Sequence, residues 1–261
     1  MPDTTLRSGL CSVTYRALPA EAVARLAADS GLRAIEWGAD IHAPPGDADR
    51  LAALRDVTLE NGLVVASYGS YFKAGPQGAE EFAPVLAAAV ALGAPRIRVW
   101  AGDVGSERAT VSQVDSVVAE LQAAARWAAD FGVEVGLEFH ANTLTDSAES
   151  TLRLLHAVDR PNLSTYWQPP VGVSTEDAIA SLTALGERVC GLHVYSWWPG
   201  TQRLRLLDRR DLWAQALSSV AGRAGVMDAL LEFVPHDDPG LLPREATMLN
   251  QLIEEAEGAG T

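Results

Sequence analysis

Apolar and polar positions alternate in short runs along the chain, and between these runs the apolar spacing widens to that of amphipathic helices. The clearest run is Val133-Glu134-Val135-Gly136-Leu137-Glu138-Phe139-His140, where the odd positions are all apolar and the even ones are Glu, Gly, Glu and His. A period of two is that of a strand with two unlike faces. One face is apolar, and the other brings Glu138 and His140 to the strand's C-terminal end, directly before the polar loop 141–146. Further strands are predicted at 9–13, 32–37, 63–68, 96–100, 163–168, 189–195 and 229–234. Helices are predicted at 19–31, 47–62, 79–93, 112–132 and 147–158, from 174 onward, and at 209–223 and 243–257. Pro19 opens the first of them, Gly31 closes it, and Ser174-Thr175-Glu176-Asp177 starts the sixth with a capping pattern.

Eight strand-helix units follow one another with no linker, low-complexity segment or charge block, so residues 1–261 are expected to form one domain. The fold class is α/β, a single closed (β/α)8 TIM barrel. A doubly wound open sheet would carry a Gly-rich loop after its first strand, and Tyr15-Arg16-Ala17-Leu18-Pro19 is not one.

A barrel of this kind works at its C-terminal mouth, so the strand ends supply the candidate residues. They are Glu36, Trp37, Tyr68, Trp100, Glu138, His140, Tyr166, Gln168, His193, Tyr195 and Glu232, with Asp40 and His42 in the loop after the second strand and His236, Asp237 and Asp238 in the loop after the eighth. Glu138, Gln168, His193 and Glu232 come from the last four strands and converge on one axis. Two facing buried carboxylates repel each other unless a cation stands between them, and oxygen and nitrogen donors suit Mn2+, Mg2+, Co2+ or Zn2+. One divalent metal ion is therefore the expected cofactor. Arg98 and Glu134 are expected to pair at the barrel floor, in a structural role. Trp37, Trp100, Trp197 and Trp198 suggest an aromatic-walled pocket.

Composition narrows the class. Hydrophobic residues are 48% of the chain, yet no apolar run is long enough to span a bilayer, and residues 1–7 lack the layout of a signal peptide. A cytoplasmic location follows as an expectation, and with it free thiols at Cys11 and Cys190. The net charge is −14, which opposes nucleic-acid binding.

These residues, in this order, resemble the xylose isomerase-like barrel family of sugar phosphate isomerases and epimerases. The likeness rests on Ile35-Glu36-Trp37, Leu137-Glu138-Phe139-His140, Tyr166-Trp167-Gln168-Pro169, Leu192-His193-Val194 and Leu231-Glu232-Phe233. It implies one divalent metal held by Glu138, Gln168, His193 and Glu232, with Gln168 standing where the family usually has an aspartate. It also places Val171 where such epimerases carry a substrate-binding histidine. The two glutamates, Glu138 and Glu232, are the implied catalytic pair, exchanging a proton with the carbon beside a carbonyl while the metal stabilises the enediolate. Glu36, His42, Trp100, His140, Tyr195 and Trp197 are the candidates for holding the substrate.

The expected function is metal-dependent isomerisation or epimerisation of a sugar, sugar phosphate or polyol ketone. A dehydratase or lyase acting on a keto-sugar is the first alternative, and a non-catalytic metabolite-binding barrel the second. Arg203, Arg205, Arg209 and Arg210 are the candidate phosphate receivers. Five histidines are too few for the three-zinc endonucleases of the same family. Oligomers are common among its members, so a homodimer is left open, and the chain marks no interface of its own.

Overall fold

A computed structural model describes residues 5–258. Eight parallel strands close into a barrel in the order β1, β10, β7, β6, β5, β4, β3, β2. They are β1 (Thr5–Cys11), β2 (Ala34–Gly38), β3 (Val64–Lys73), β4 (Arg96–Trp100), β5 (Glu134–Leu137), β6 (Leu163–Trp167), β7 (Val189–Val194) and β10 (Val226–Leu231). A two-stranded antiparallel hairpin, β8 (Ser196–Trp197) with β9 (Arg203–Leu204), stands in the loop after β7. The helices are α1 (Ala20–Asp29), α2 (Ala48–Glu60), α3 (Phe82–Leu92), α4 (Val111–Ala129), α5 (Ala148–Val158), α6 (Thr175–Leu185), α7 (Arg210–Val220) and α8 (Leu242–Gly258). The expected barrel is the observed one. No helix among the described residues is long and apolar enough to cross a membrane.

Polar caps fix where the helices begin. Thr110 and Ser147 each form a reciprocal capping box, with Gln113 and Ser150 respectively, and Asp47 and Ser174 accept from the backbone N–H groups of Arg50 and Asp177. The apolar faces of the strands then pack outward against the helices. Trp37, Trp167 and Trp213 are the largest fully buried side chains of that layer, and Trp167 meets Trp213 edge to face at 5.9 Å. Cys11 and Cys190 are free and buried.

The opposite strand faces look into the barrel and form layers. Near the N-terminal ends Arg7 pairs with Asp228 at 2.6 Å and Arg96 with Glu134 at 2.6 Å. The second pair corrects the sequence reading, which joined Glu134 to Arg98. Register decides it, because Glu134 lies beside Arg96, whereas Arg98 lies beside Gly136 and is carried one layer higher. Between the layers the ring of Tyr166 fills a slot left open by two glycines, since a Cβ on Gly136 or Gly191 would come within 2.5 or 2.8 Å of it.

Strand ends differ from the sequence expectation in ways that matter for the site. β1 is Thr5–Cys11 rather than 9–13, and Ser12–Tyr15 form a 3-10 turn at the mouth. β10 begins at Val226 and ends at Leu231. β5 stops at Leu137. Glu138, Gln168 and Glu232 are thus each the first residue past a strand, where the chain is free to aim a side chain inward.

Candidate active site

The mouth encloses a cavity of about 510 Å³. Its lining includes Arg98, Glu138, Gln168 and Glu232, with Trp100, His140, Tyr195 and Trp197 from the sequence candidates. His193 lies directly beneath, fully buried, stacked on Tyr166 at 4.8 Å. Its Nδ1 is 3.0 Å from Gln168 Oε1 and 4.0 Å from Glu232 Oε2. Two ligands held at right angles by bonds of about 2.1 Å stand about 3.0 Å apart, and two such bonds span at most about 4.2 Å. Each of these two separations is one that a pair of ligands to a single divalent cation can span.

Glu232 supplies a second observation in favour of that fit. Its carboxylate is buried and accepts no hydrogen bond among the described residues. Burial, aided by Glu138 and Glu36, outweighs the pull of His193 and Arg98 and pushes its pKa up to about 7. Such a group is completed by a cation or by a proton.

Glu138 has a different partner. One of its oxygens accepts from an Arg98 N–H, and Arg98 Nε donates to Glu36 Oε1 at 3.0 Å. The guanidinium is 4% exposed. Burial alone would disfavour its charge, but Glu138 and Glu36 outweigh that and hold it positive. Only glycine fits at position 69 beside this pair, where a Cβ would lie 2.7 Å from Glu36 Oε1 and 2.9 Å from the nearer Arg98 nitrogen. Sequence reasoning missed Arg98 as a mouth residue. The signal was available in the spacing: Arg98 lies two positions before Trp100 on the same strand face, level with the inward residues of β5.

Two sequence candidates lie elsewhere. Glu36 is buried behind His193, outside the cavity lining, so its place is structural support rather than substrate contact. Its Oε2 accepts from Ser67 Oγ at 2.6 Å and lies 3.6 Å from His193 Nε2. Burial pushes the Glu36 carboxyl up, yet Arg98 and His193 outweigh it and hold it well below the usual range. His193 is raised in turn, because Glu36 more than offsets the burial that opposes its charge. His42 does not reach the mouth; its ring nitrogens meet Ser12 Oγ and the Leu18 carbonyl oxygen, each at 3.0 Å.

The aromatic expectation divides in the same way. Trp100 and Trp197 line the cavity. Trp37 faces outward and donates to Thr58, while Trp198 lies by Arg209, at 4.9 Å, outside the cavity. Arg203, Arg205, Arg209 and Arg210 are also absent from the lining; Arg203 pairs with Asp237 at 2.5 Å and Arg210 with Glu255 at 2.6 Å.

Cys11, Glu36 and His193 form another cluster with metal-ligating atoms, all within 4.8 Å of one another. Glu36 there is already neutralised by Arg98, and burial pushes the Cys11 thiol up, towards its protonated form.

The raised pKa of Glu232 carries a stability consequence for protein stripped of cations. Glu232 ionises near 4.5 when unfolded and at about 7 when folded, so it costs nothing below 4.5 and progressively destabilises the fold as pH rises through 7. Above that range the cost is roughly 3 kcal/mol. In urea unfolding of chelator-treated protein, the advantage of Glu232→Gln over the natural chain should grow between pH 5 and about 7. A difference independent of pH would contradict the assignment.

The sequence profile of the family described as xylose isomerase-like TIM barrel matches residues 24–239. The chain belongs to that family. No curated protein matches its sequence. Among solved structures it is similar to the probable 3-DHS dehydratase AsbF of Bacillus anthracis, involved in petrobactin synthesis, with TM-score 0.77 and 20% identity over 94% of this chain and 98% of that one. An L-ribulose 3-epimerase gives TM-score 0.73 and 17% identity over 98% and 97%. A xylose isomerase-like TIM barrel protein from Mycobacterium smegmatis, in complex with magnesium, gives 0.69 and 12% over 96% and 97%. At these identities the likeness is one of fold.

Proposed function

We propose that the chain is a divalent-cation-dependent enzyme that moves a proton on the carbon beside a carbonyl of a sugar-like substrate, as an isomerase or epimerase. The observation that carries this reading is that two carboxylates in one cavity have unlike partners. Glu138 is held by a guanidinium, whereas the buried Glu232 carboxylate has no donor among the described residues. Unlike partners give the two carboxylates unlike tasks: Arg98 fixes Glu138, and Glu232 is left for the cation. Gln168, His193 and Glu232, with the free oxygen of Glu138, would hold the cation, which when bound would act as a Lewis acid on the substrate carbonyl.

The side chains divide the remaining work. Glu138 takes the proton from the carbon next to the carbonyl, and Arg98 keeps that carboxylate in place. Glu232, which flanks Gln168 and His193 from the other side of the site, returns a proton. Glu36 supports His193 from behind. The isomerase-type neighbours and the magnesium complex agree with this reading. A second reading, elimination of a group β to the carbonyl, would use the same site, with Glu138 taking the proton and the cation polarising the carbonyl. The similarity to a probable dehydratase points the same way.

NMR of candidate keto-sugars in deuterated water separates the readings. An epimerase incorporates deuterium with the carbon skeleton conserved, and a lyase yields a new unsaturated product. Chelation should stop either reaction and added Mn2+ or Mg2+ restore it. Metal-free protein with full activity would reject the cation, and cation binding without exchange or elimination would leave only a metabolite-binding barrel.

A further inference from the structure

We propose that Arg203 is a positioning residue: from the hairpin after β7 it clamps the segment that follows β10 and so sets the aim of Glu232. This rests on the reading of Glu232 as a ligand of the cation given above and adds what holds that carboxylate in place. Glu138 is fixed by Arg98, but no donor among the described residues reaches the Glu232 carboxylate. The Glu232 N–H still belongs to the barrel, bonded to the Val194 carbonyl oxygen at 2.9 Å, and beyond it the chain leaves the sheet. With no side-chain partner, the direction of Glu232 is decided by the backbone that follows.

That backbone is held out of the ordinary range. Phe233 has φ 53°, His236 59° and Asp237 52°. His and Asp enter the left-handed region more readily than most residues, whereas a bulky Phe rarely does. Such a conformation persists only where its surroundings over-determine it.

Arg203 touches both ends of the segment. Its guanidinium donates to Asp237 Oδ1 at 2.5 Å and lies 4.9 Å from the centre of the Phe233 ring. The arginine is itself pinned. It pairs with Trp197 across the β8–β9 ladder, and its guanidinium lies 5.8 Å from that indole. The Trp198 N–H closes the hairpin by donating to the Gln202 carbonyl oxygen at 3.0 Å. Trp197 in turn packs on Phe233 at 5.4 Å, and the Phe233 N–H donates to Thr14 Oγ1 at 3.1 Å from the β1 side. One guanidinium thus ties the hairpin to the ring beside Glu232 and to the far end of the left-handed segment.

A bystander charge in the same place would act the other way. It would repel a cation in the cavity, so its removal would strengthen cation binding. Removal of a clamp weakens binding, because Glu232 loses its aim.

Mn2+ is titrated calorimetrically into the natural chain, Arg203→Gln and Arg203→Lys. Hydrogen exchange of peptides covering residues 232–238 is followed by mass spectrometry in cation-free protein. Arg203→Gln should bind Mn2+ about three- to tenfold more weakly, as expected when an exposed ion pair and a ring contact are lost together. Its segment should exchange at least about threefold faster, while the urea unfolding midpoint stays that of the natural chain. Arg203→Lys keeps a charge for Asp237 and for the Phe233 ring, and should recover most of both effects. Equal or tighter Mn2+ binding by Arg203→Gln, unchanged exchange of the segment, or a Lys variant as impaired as the Gln one would overturn the proposal. A natural chain that binds no Mn2+ would instead reject the cation reading, and the exchange difference would then decide the clamp by itself.

Discussion

Glu138→Gln should lower substrate turnover by roughly 10²- to 10⁴-fold, the contribution of a positioned general base, while leaving the unfolding midpoint close to that of the natural chain. The two outcomes belong together. Glutamine keeps the size and hydrogen-bond acceptor that Arg98 uses, so the buried contact survives in a neutral form. It removes the lone-pair basicity that takes up a proton. Deuterium exchange into substrate by NMR measures the first effect, and urea unfolding the second. Full exchange in this variant would reject Glu138 as the base. Lost exchange together with a large drop in stability would mean that the site had collapsed, and the comparison would then rest on Glu232→Gln.

How far the fold was legible in the sequence can be judged strand by strand. β4, β5 and β7 alternate apolar residues towards the helices with polar or small ones towards the barrel interior, and this marks them within a few residues. The start of β1 escapes the pattern because Arg7 on its inward face and Ser8 on its outward face are both polar and hide the alternation; Arg7 is paired with Asp228 from the far end of the chain. No local pattern reveals a partner so distant. β3 runs on to Lys73, past its expected end, because its last residues pair irregularly with β4 rather than by continuing the alternation.

The site was legible where strand ends alone decide it, at Glu138, Gln168, His193 and Glu232, which gather around one cavity or directly under it. It was not legible where register and depth decide. Whether Arg98 meets Glu134 or Glu138 depends on a stagger of two residues between neighbouring strands, and that stagger is a property of barrel closure. Likewise Glu36 stands within β2 and His42 in the loop after it, yet the first is held one layer down by Arg98 and Ser67 while the second is turned away to Ser12 and Leu18.

The largest stability effect is expected at Arg98. Arg98→Met should destabilise the protein by about 3–5 kcal/mol, the cost of leaving buried charges without their counter-ion. Both carboxylates it serves are buried, Glu36 at 1% and Glu138 at 7% side-chain exposure, so solvent screening offers little relief. Methionine fills much of the same volume, which confines the loss to charge and hydrogen bonding. Arg98→Lys should recover only part of it, because Nε and a terminal nitrogen of the guanidinium reach Glu36 and Glu138 separately, and one ammonium lacks that fork. Adding Glu36→Gln to Arg98→Met should restore a measurable share of the stability, since one of the two stranded charges is then gone, and a double-mutant cycle in urea unfolding gives the coupling directly. Additive losses in that cycle would mean that Arg98 and Glu36 do not depend on one another. Buried pairs of this kind contribute little net stability when formed and cost a great deal when half removed, so the expected loss reports how tightly the two walls of the mouth are tied through one guanidinium rather than how much the pair adds to folding.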